Sequence, residues 1–372
     1  MKATLNDIID IMESIAPLYL AKNWDNSGLQ IGQGESEIAN IMVALDPTPE
    51  VVNLACEEKA DLLIVHHPLL FKPLSSIDFS TPEGALINKA VCNNLAIFAA
   101  HTNLDCVKNG INDILANKIG LKKLKVLCPG MESELYKLVI NVPVEYEQAV
   151  LNAIFETNAG AIDTYTNCTF RNKGKGTFKP GDLSNPFAGD KDKVSDVDEI
   201  RIETVVKKGD LNNIINHVRK KHPYETMGYD VYPVLDSQNC HGLGRVGYLE
   251  EKTSLVSFAS DIKKKFNIKN VKVSGDPEMV VSCVAVCSGS GSGLMKDFFS
   301  SEAHVYISGD LRYHDARDAQ NSHRGLIDIG HFLSEYLIVD ALVKRLKEIL
   351  SKMSFDVNVK ACELEVDPFW TI

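Results

Sequence analysis

The stretch Asp61-Leu-Leu-Ile-Val-His-His-Pro-Leu-Leu-Phe71 decides the fold. Leu62 to Val65 is a short apolar run with the character of a strand buried on both faces. Pro68 cannot donate to a strand ladder, so the strand stops near His66-His67. Two imidazoles therefore stand at the carboxyl end of a buried strand, where open α/β sheets bind their ligands. Successive side chains of an extended backbone point to opposite faces. Adjacent histidines therefore serve two neighbouring ions better than one.

Working outward, Ile38 to Leu45 and Leu95 to Ala100 read as further buried strands, with helices over 47–58 and 81–92 between them. This strand–helix alternation predicts parallel strands in a three-layer α/β core with a mixed sheet. Thr4 to Ala16 reads as a capped amphipathic helix. Asp25, Asn26 and Gly28 read as a turn, with a self-bonded Asp25 weighed evenly against a functional one. Near Pro129-Gly130 the character changes. Strand, helix, strand, strand, helix, strand follow, which is the order of a ferredoxin-like α+β domain inserted over 132–236. The polar segment 172–197 reads as a flexible loop. The core, residues 1–131 and 237–372, resumes at Gly242-Leu-Gly-Arg-Val-Gly247, and 331–349 reads as one helix.

With 372 residues, 45% of them hydrophobic, the chain has the composition of an ordinary globular protein with more than one core. A net charge of −11 argues against direct nucleic-acid binding. The nine cysteines form no CxxC pair and no framework spacing, which disfavours a thiolate zinc site and points to a reducing compartment. The first residues lack a cationic segment followed by an apolar one, and no apolar run is long enough for a bilayer. The expectation is a cytoplasmic protein with no membrane association.

Two more pieces can join His66 and His67. Asp105 lies in the turn His101-Thr-Asn-Leu-Asp105 after another strand, and His331 and Glu335 stand i, i+4 on one helix face. Either feature alone is commonly incidental. Together, His66, His67, Asp105, His331 and Glu335 are too many ligands for one tetrahedral ion. They suit two ions roughly 3.5–4 Å apart with a bridging carboxylate. His101 and His314 stand in reserve. Imidazole and carboxylate donors suit zinc, with manganese, iron or cobalt as alternatives. Ser288 to Gly293 lacks the Gly-Lys-Ser/Thr ending of a phosphate loop and reads as a tight turn letting backbone pass close to the site.

His-His-Pro-Leu-Leu-Phe at 66–71, His-Thr-Asn-Leu-Asp at 101–105, Gly-Asp-Leu-Arg-Tyr-His at 309–314 and Gly-His-Phe-Leu-Ser-Glu at 330–335 resemble the signature boxes of one family. It is the NGG-interacting-factor-like family of dinuclear-metal proteins, labelled GTP cyclohydrolase 1 type 2. Trp24-Asp-Asn-Ser-Gly-Leu-Gln and Gly242-Leu-Gly-Arg-Val-Gly fit as well. The resemblance implies a toroidal homohexamer with two divalent metal ions per subunit. It implies ligation by the same five residues, with Glu335 bridging and His101 and His314 close by as proton-transfer groups. The insertion, with His222-Pro-Tyr-Glu225, resembles the nitrogen-regulatory and cation-tolerance proteins, which form trimers. There a capped loop outweighs a second metal site at His222 and Glu225.

The function expected is a dinuclear metal-dependent hydrolase. It would use a metal-bridging hydroxide on a small molecule, a nucleotide or phosphorylated compound. The family label implies purine-ring opening of GTP, and a phosphate ester or cyclic amidine fits the metals equally well. The alternative is a metal-handling or regulatory hexamer without turnover. A site open to solvent favours the first and a closed all-protein cage the second.

Overall fold

The structure, a computed structural model, describes residues 2–129, 135–162, 165–234 and 241–370. The chain divides into two compact units, Met1–Gly130 with Cys240–Ile372, and Met131–Asn239. The boundaries expected at 131/132 and 236/237 fall outside the described residues.

The first unit holds two large mixed sheets, where the sequence suggested a single one. In the five-stranded sheet, Asn40–Ala44, Leu62–Val65 and Ala96–Ala99 run parallel, flanked by Asn358–Ala361 (parallel) and Gly28–Ile31 (antiparallel). Alternate residues feed two cores. Ile41, Val43, Leu62, Ile64 and Phe98 pack with helices Leu5–Ile15 and Leu337–Lys352. Met42, Leu63, Val65 and Ile97 pack on the other face with helices Pro49–Glu57 and Pro82–Cys92. Fully burying each such aliphatic side chain stabilises by about 1.5–3 kcal/mol, so this sheet holds its register firmly. Local signals agree. Thr4 forms a capping box with Asp7, and Thr48 and Thr81 cap helices that begin on Pro49 and Pro82.

The six-stranded sheet repeats the plan. Val280–Ser290, Val305–Gly309 and Gly325–Asp328 run parallel in its middle, between helices on both faces. Its antiparallel strands Lys122–Pro129 and Gly242–Ser254 escaped the sequence reading. The first is rich in lysine, and the second is broken by Gly244 and Gly247. Arg245 is buried there, donating to the Gly242, Gly244 and Val107 carbonyls and to Asp113 Oδ2 at 2.7–3.0 Å. Its charge is thereby fully paired.

Two helix expectations are corrected. The helix of 331–349 is two, His331–Glu335 and Leu337–Lys352, meeting at Tyr336. That of 47–58 starts after Pro47, at Pro49.

In the second unit the strands order as Tyr229–Val234, Leu135–Pro143, Ser195–Lys207, Thr169–Phe178, all antiparallel. Helices Glu147–Phe155 and Leu211–Arg219 cover the sheet through Val150, Ile154, Ile214 and Val218. The flexible loop expected over 172–197 is corrected, since 172–178 and 195–197 are paired strand. Thr169–Phe178 is an edge strand exposed along most of its length, so it carries lysine and glycine and shows no apolar alternation. Both ring nitrogens of His222 are engaged, by the Asn141 carbonyl and the Tyr224 N–H, so this histidine closes a loop.

Candidate metal centre

The site is built from the carboxyl ends of parallel strands in both sheets. In the five-stranded sheet, Asp46 follows Asn40–Ala44, His66 and His67 follow Leu62–Val65, and His101 and Asp105 follow Ala96–Ala99. In the six-stranded sheet, Gly289 lies near the end of Val280–Ser290, Asp310 follows Val305–Gly309, and His331 and Glu335 follow Gly325–Asp328. Parallel strands all end on one edge, so each sheet presents its loops as a cluster.

Among the described residues three groups of donor atoms form, each within 4.8 Å: His66, Asp105 and Glu335; His67, His331 and Glu335; and His66, His67 and His101. The first two share Glu335. Its Oε2 lies 2.9 Å from His331 Nε2 and 3.1 Å from His67 Nε2, and its Oε1 lies 3.7 Å from His66 Nε2. Asp105 Oδ1 is 3.6 Å from the same His66 nitrogen.

Every imidazole here is held by its other nitrogen. His66 Nδ1 donates to the Ala100 carbonyl at 2.8 Å. The Nδ1 atoms of His67, His101 and His331 donate to Asp46, Asp25 and Asp310, each at 2.7 Å. With the Nδ1 hydrogen given to these oxygens, each neutral ring turns an Nε2 lone pair inward. His66 Nε2 and Glu335 Oε2 are buried without a hydrogen-bond partner. Lone pairs facing a carboxylate at such distances repel unless a proton or a cation lies between them. The donor set and its orphaned atoms therefore fit divalent ions.

The electrostatics agree. At His67, burial opposes the charge, but Asp46 and Glu335 outweigh it and push the imidazole up to about 10. The Glu335 carboxylate, 2.9 Å from the His331 Nε2, pushes that imidazole up to about 9, against burial. Glu335 is deeply buried, yet the three histidines hold its carboxyl well below the usual carboxylate range. Without a cation the cluster gathers protons, which metal uptake would displace.

Asp25, Asp46 and Asp310 were not read from the sequence as partners of the histidines. Asp25 stands in Trp24-Asp-Asn, and burial there is outweighed by bonds from His101, Thr102 and Ser27 that hold its carboxyl low. It is thus no self-bonded turn residue alone. The available signal was an aspartate immediately beyond a parallel strand, as at Asp46 and in Gly309-Asp310. Of the residues singled out beforehand, His66, His67, His101, Asp105, His331 and Glu335 come together. His314 does not join these groups. It lies exposed on the helix Tyr313–Asn321, edge-on to the Tyr313 ring.

The turn reading of 288–293 holds at its start. Gly289 has φ +62°, and a Cβ there would lie 2.1 Å from Glu335 Oε1. Ser288 Oγ reaches Asp105 Oδ1 at 3.3 Å, and the Gly289 N–H donates to Ser334 Oγ at 2.8 Å. The His331 side chain is 37% exposed, against 13% for His101. Trp24 and Phe71, 60% and 46% exposed, lie with ring centroids 6.0 and 6.3 Å from that imidazole.

The Duf34/NIF3 (NGG1p interacting factor 3) family model matches residues 3–368. The chain belongs to this family. A Duf34/NIF3 relative from Halalkalibacterium halodurans, named GTP cyclohydrolase 1 type 2 homolog, is 39% identical over 362 residues, covering 97% of each chain. One from Bacillus subtilis, with the same name, is 38% identical over 362 residues, again covering 97% of each. The crystal structure of a Bacillus cereus protein related to NIF3 superposes with a TM-score of 0.79 at 36% identity, covering 100% of this chain and 99% of that one.

Asp46 offers a direct check on the inward-facing nitrogens. Asp46→Asn removes the charge that holds His67 in its tautomer. Metal affinity should fall about 10–100-fold, read by competition with a chromophoric chelator. Unchanged affinity would mean that His67 is no ligand.

Proposed function

We propose that this Duf34/NIF3 protein is a dinuclear metal-dependent hydrolase of a small molecule. The observation that carries the reading is the sharing of Glu335 by two donor groups whose imidazole Nε2 atoms converge on it. His66 and Asp105 would hold one ion, His67 and His331 the other, and Glu335 both. Nitrogen and carboxylate donors without thiolate make zinc the first choice, with manganese, iron or cobalt as alternatives. When bound, two such ions supply a water acidified towards neutral pH and Lewis-acid polarisation of a substrate oxygen.

The chain's own residues supply the rest. Asp25 holds His101 Nδ1 and leaves its Nε2 for the cluster, in position to take a proton from water bound there. With the His331 side chain 37% exposed and the exposed rings of Trp24 and Phe71 beside His101, the cluster is reachable from solvent, which favours turnover over a closed cage. The name carried by the relatives points to a nucleotide, and a phosphorylated compound suits the same donors. We further read the insertion as ferredoxin-like, on the strength of its strand order, and the assembly as a homohexamer, on the family resemblance.

Elemental analysis should find about two ions per chain after reconstitution. A panel of GTP, phosphate esters and cyclic amidines should then show metal-dependent hydrolysis. His101→Ala should keep its ions while losing about 10²–10⁴ in turnover. Failure to take up zinc, manganese, iron or cobalt would overturn the proposal.

A further inference from the structure

The second unit contains a cavity of about 490 Å³ that shares no residue with the metal centre. One wall is aromatic. Phe178 ends the edge strand, Phe187 lies in the segment after it, and Tyr224 comes from the loop closed by His222. The Tyr224 ring is tilted against both phenylalanines, with centroids 6.1 Å from Phe178 and 6.0 Å from Phe187. Tyr146 supports Phe187 from behind, edge-on at 5.3 Å.

Two carboxylates line the same cavity. Glu199 Oε1 accepts the Tyr224 hydroxyl at 2.7 Å, and Glu225 Oε2 accepts the Asn185 N–H at 2.9 Å. Each carboxylate is thereby fixed in place by a bond to one of its oxygens. Gly176 makes room for Glu199, since a Cβ there would stand 2.4 Å from its Oε2. Among the described residues no lysine, arginine or histidine lines the cavity.

A phosphate or carboxylate entering here would meet two carboxylates and, among the described residues, no cationic side chain, since Asn141, Thr177, Ser184 and Thr226 add polar groups without charge. A cation meets favourable partners in both the carboxylates and the aromatic faces. The volume lies within the range of small-molecule sites. We propose that this cavity is a second ligand site, one for a small organic cation bearing an ammonium, amidinium or guanidinium group. Its chemistry differs from that of the metal centre, where imidazoles and carboxylates converge and no aromatic wall faces paired acids.

Isothermal titration of the metal-loaded full chain tests this, with choline, agmatine and benzamidine as probes and benzamide as the uncharged counterpart. At least one cation should saturate with Kd below about 1 mM, and benzamidine should bind at least about tenfold more tightly than benzamide. Phe187→Ala and Glu199→Gln should each weaken the binding about tenfold and leave the metal content unchanged. Phe187 is 48% exposed, so its truncation is compatible with folding. Glu225→Gln is a further variant, on an exposed side chain. No saturation by any of the three cations, equal binding of benzamide, or wild-type binding by all three variants would overturn the proposal.

Discussion

Glu335→Gln should leave a folded protein that no longer keeps its ions. The glutamate is the one side chain common to both ligand groups, and three imidazoles lie within 3.7 Å of its oxygens. An amide of the same shape has no charge and only one acceptor oxygen, so it cannot serve two cations. Metal affinity should fall by more than about 100-fold, beyond the loss from an outer-sphere change such as Asp46→Asn. Elemental analysis after dialysis against a weak chelator reads it directly. Retention of both ions would remove Glu335 from the centre.

The same variant has a signature in metal-free protein. With His67 pushed up to about 10 and His331 to about 9, protonation of these rings stabilises the folded state. A pKa raised above the unfolded value of about 6.5 contributes stability that is full below that pH. The contribution is lost as pH rises through the folded values. In chelator, wild-type stability should therefore decline from about pH 6.5 to 10, while Glu335→Gln gives a flatter profile. Chemical denaturation across that range measures both.

Gly289→Ala should empty the centre without replacing a ligand. The new Cβ would sit 2.1 Å from Glu335 Oε1 and 3.3 Å from His331 Nε2, at a backbone φ of +62°. A non-glycine residue there costs about 1–3 kcal/mol in backbone strain, and overpacking costs about 1–3 kcal/mol more. Either the strand end shifts or the carboxylate does, and both move Glu335 off its position. We expect metal content near that of Glu335→Gln and a fall of about 2–6 kcal/mol in stability. Gly293→Ala is the control. A Cβ there meets nothing within 4 Å, and it should be neutral. Full metal occupancy in Gly289→Ala would show that the turn has room to yield.

The histidines and carboxylates were legible in the sequence because each stands beside a recognisable local signal. His66 and His67 follow a buried apolar run stopped by Pro68, and His331 and Glu335 share a helix face at i, i+4. The parallel strands of the first sheet were legible for the same reason, since burial on both faces forces continuous apolar runs. The edge strand Thr169–Phe178 was not, because it buries almost nothing and its composition answers to solvent. The strands Lys122–Pro129 and Gly242–Ser254 were missed for a related reason: lysines and glycines interrupt their alternation.

The sequence by itself determined the family, the donor chemistry and the residues able to hold metal. These depend on residue types and short spacings, which local backbone geometry preserves. Only the tertiary structure decided that the first unit holds two large mixed sheets, with the ends of their parallel strands meeting at one cluster. It also decided that Asp25, Asp46 and Asp310 each hold an imidazole, that Gly289 makes room for Glu335, and that His314 stands apart. Those relations join residues tens to hundreds of positions apart. They are set by how buried faces pack, and the local pattern marks at most a position, as with the aspartates after strands, never the partner it meets.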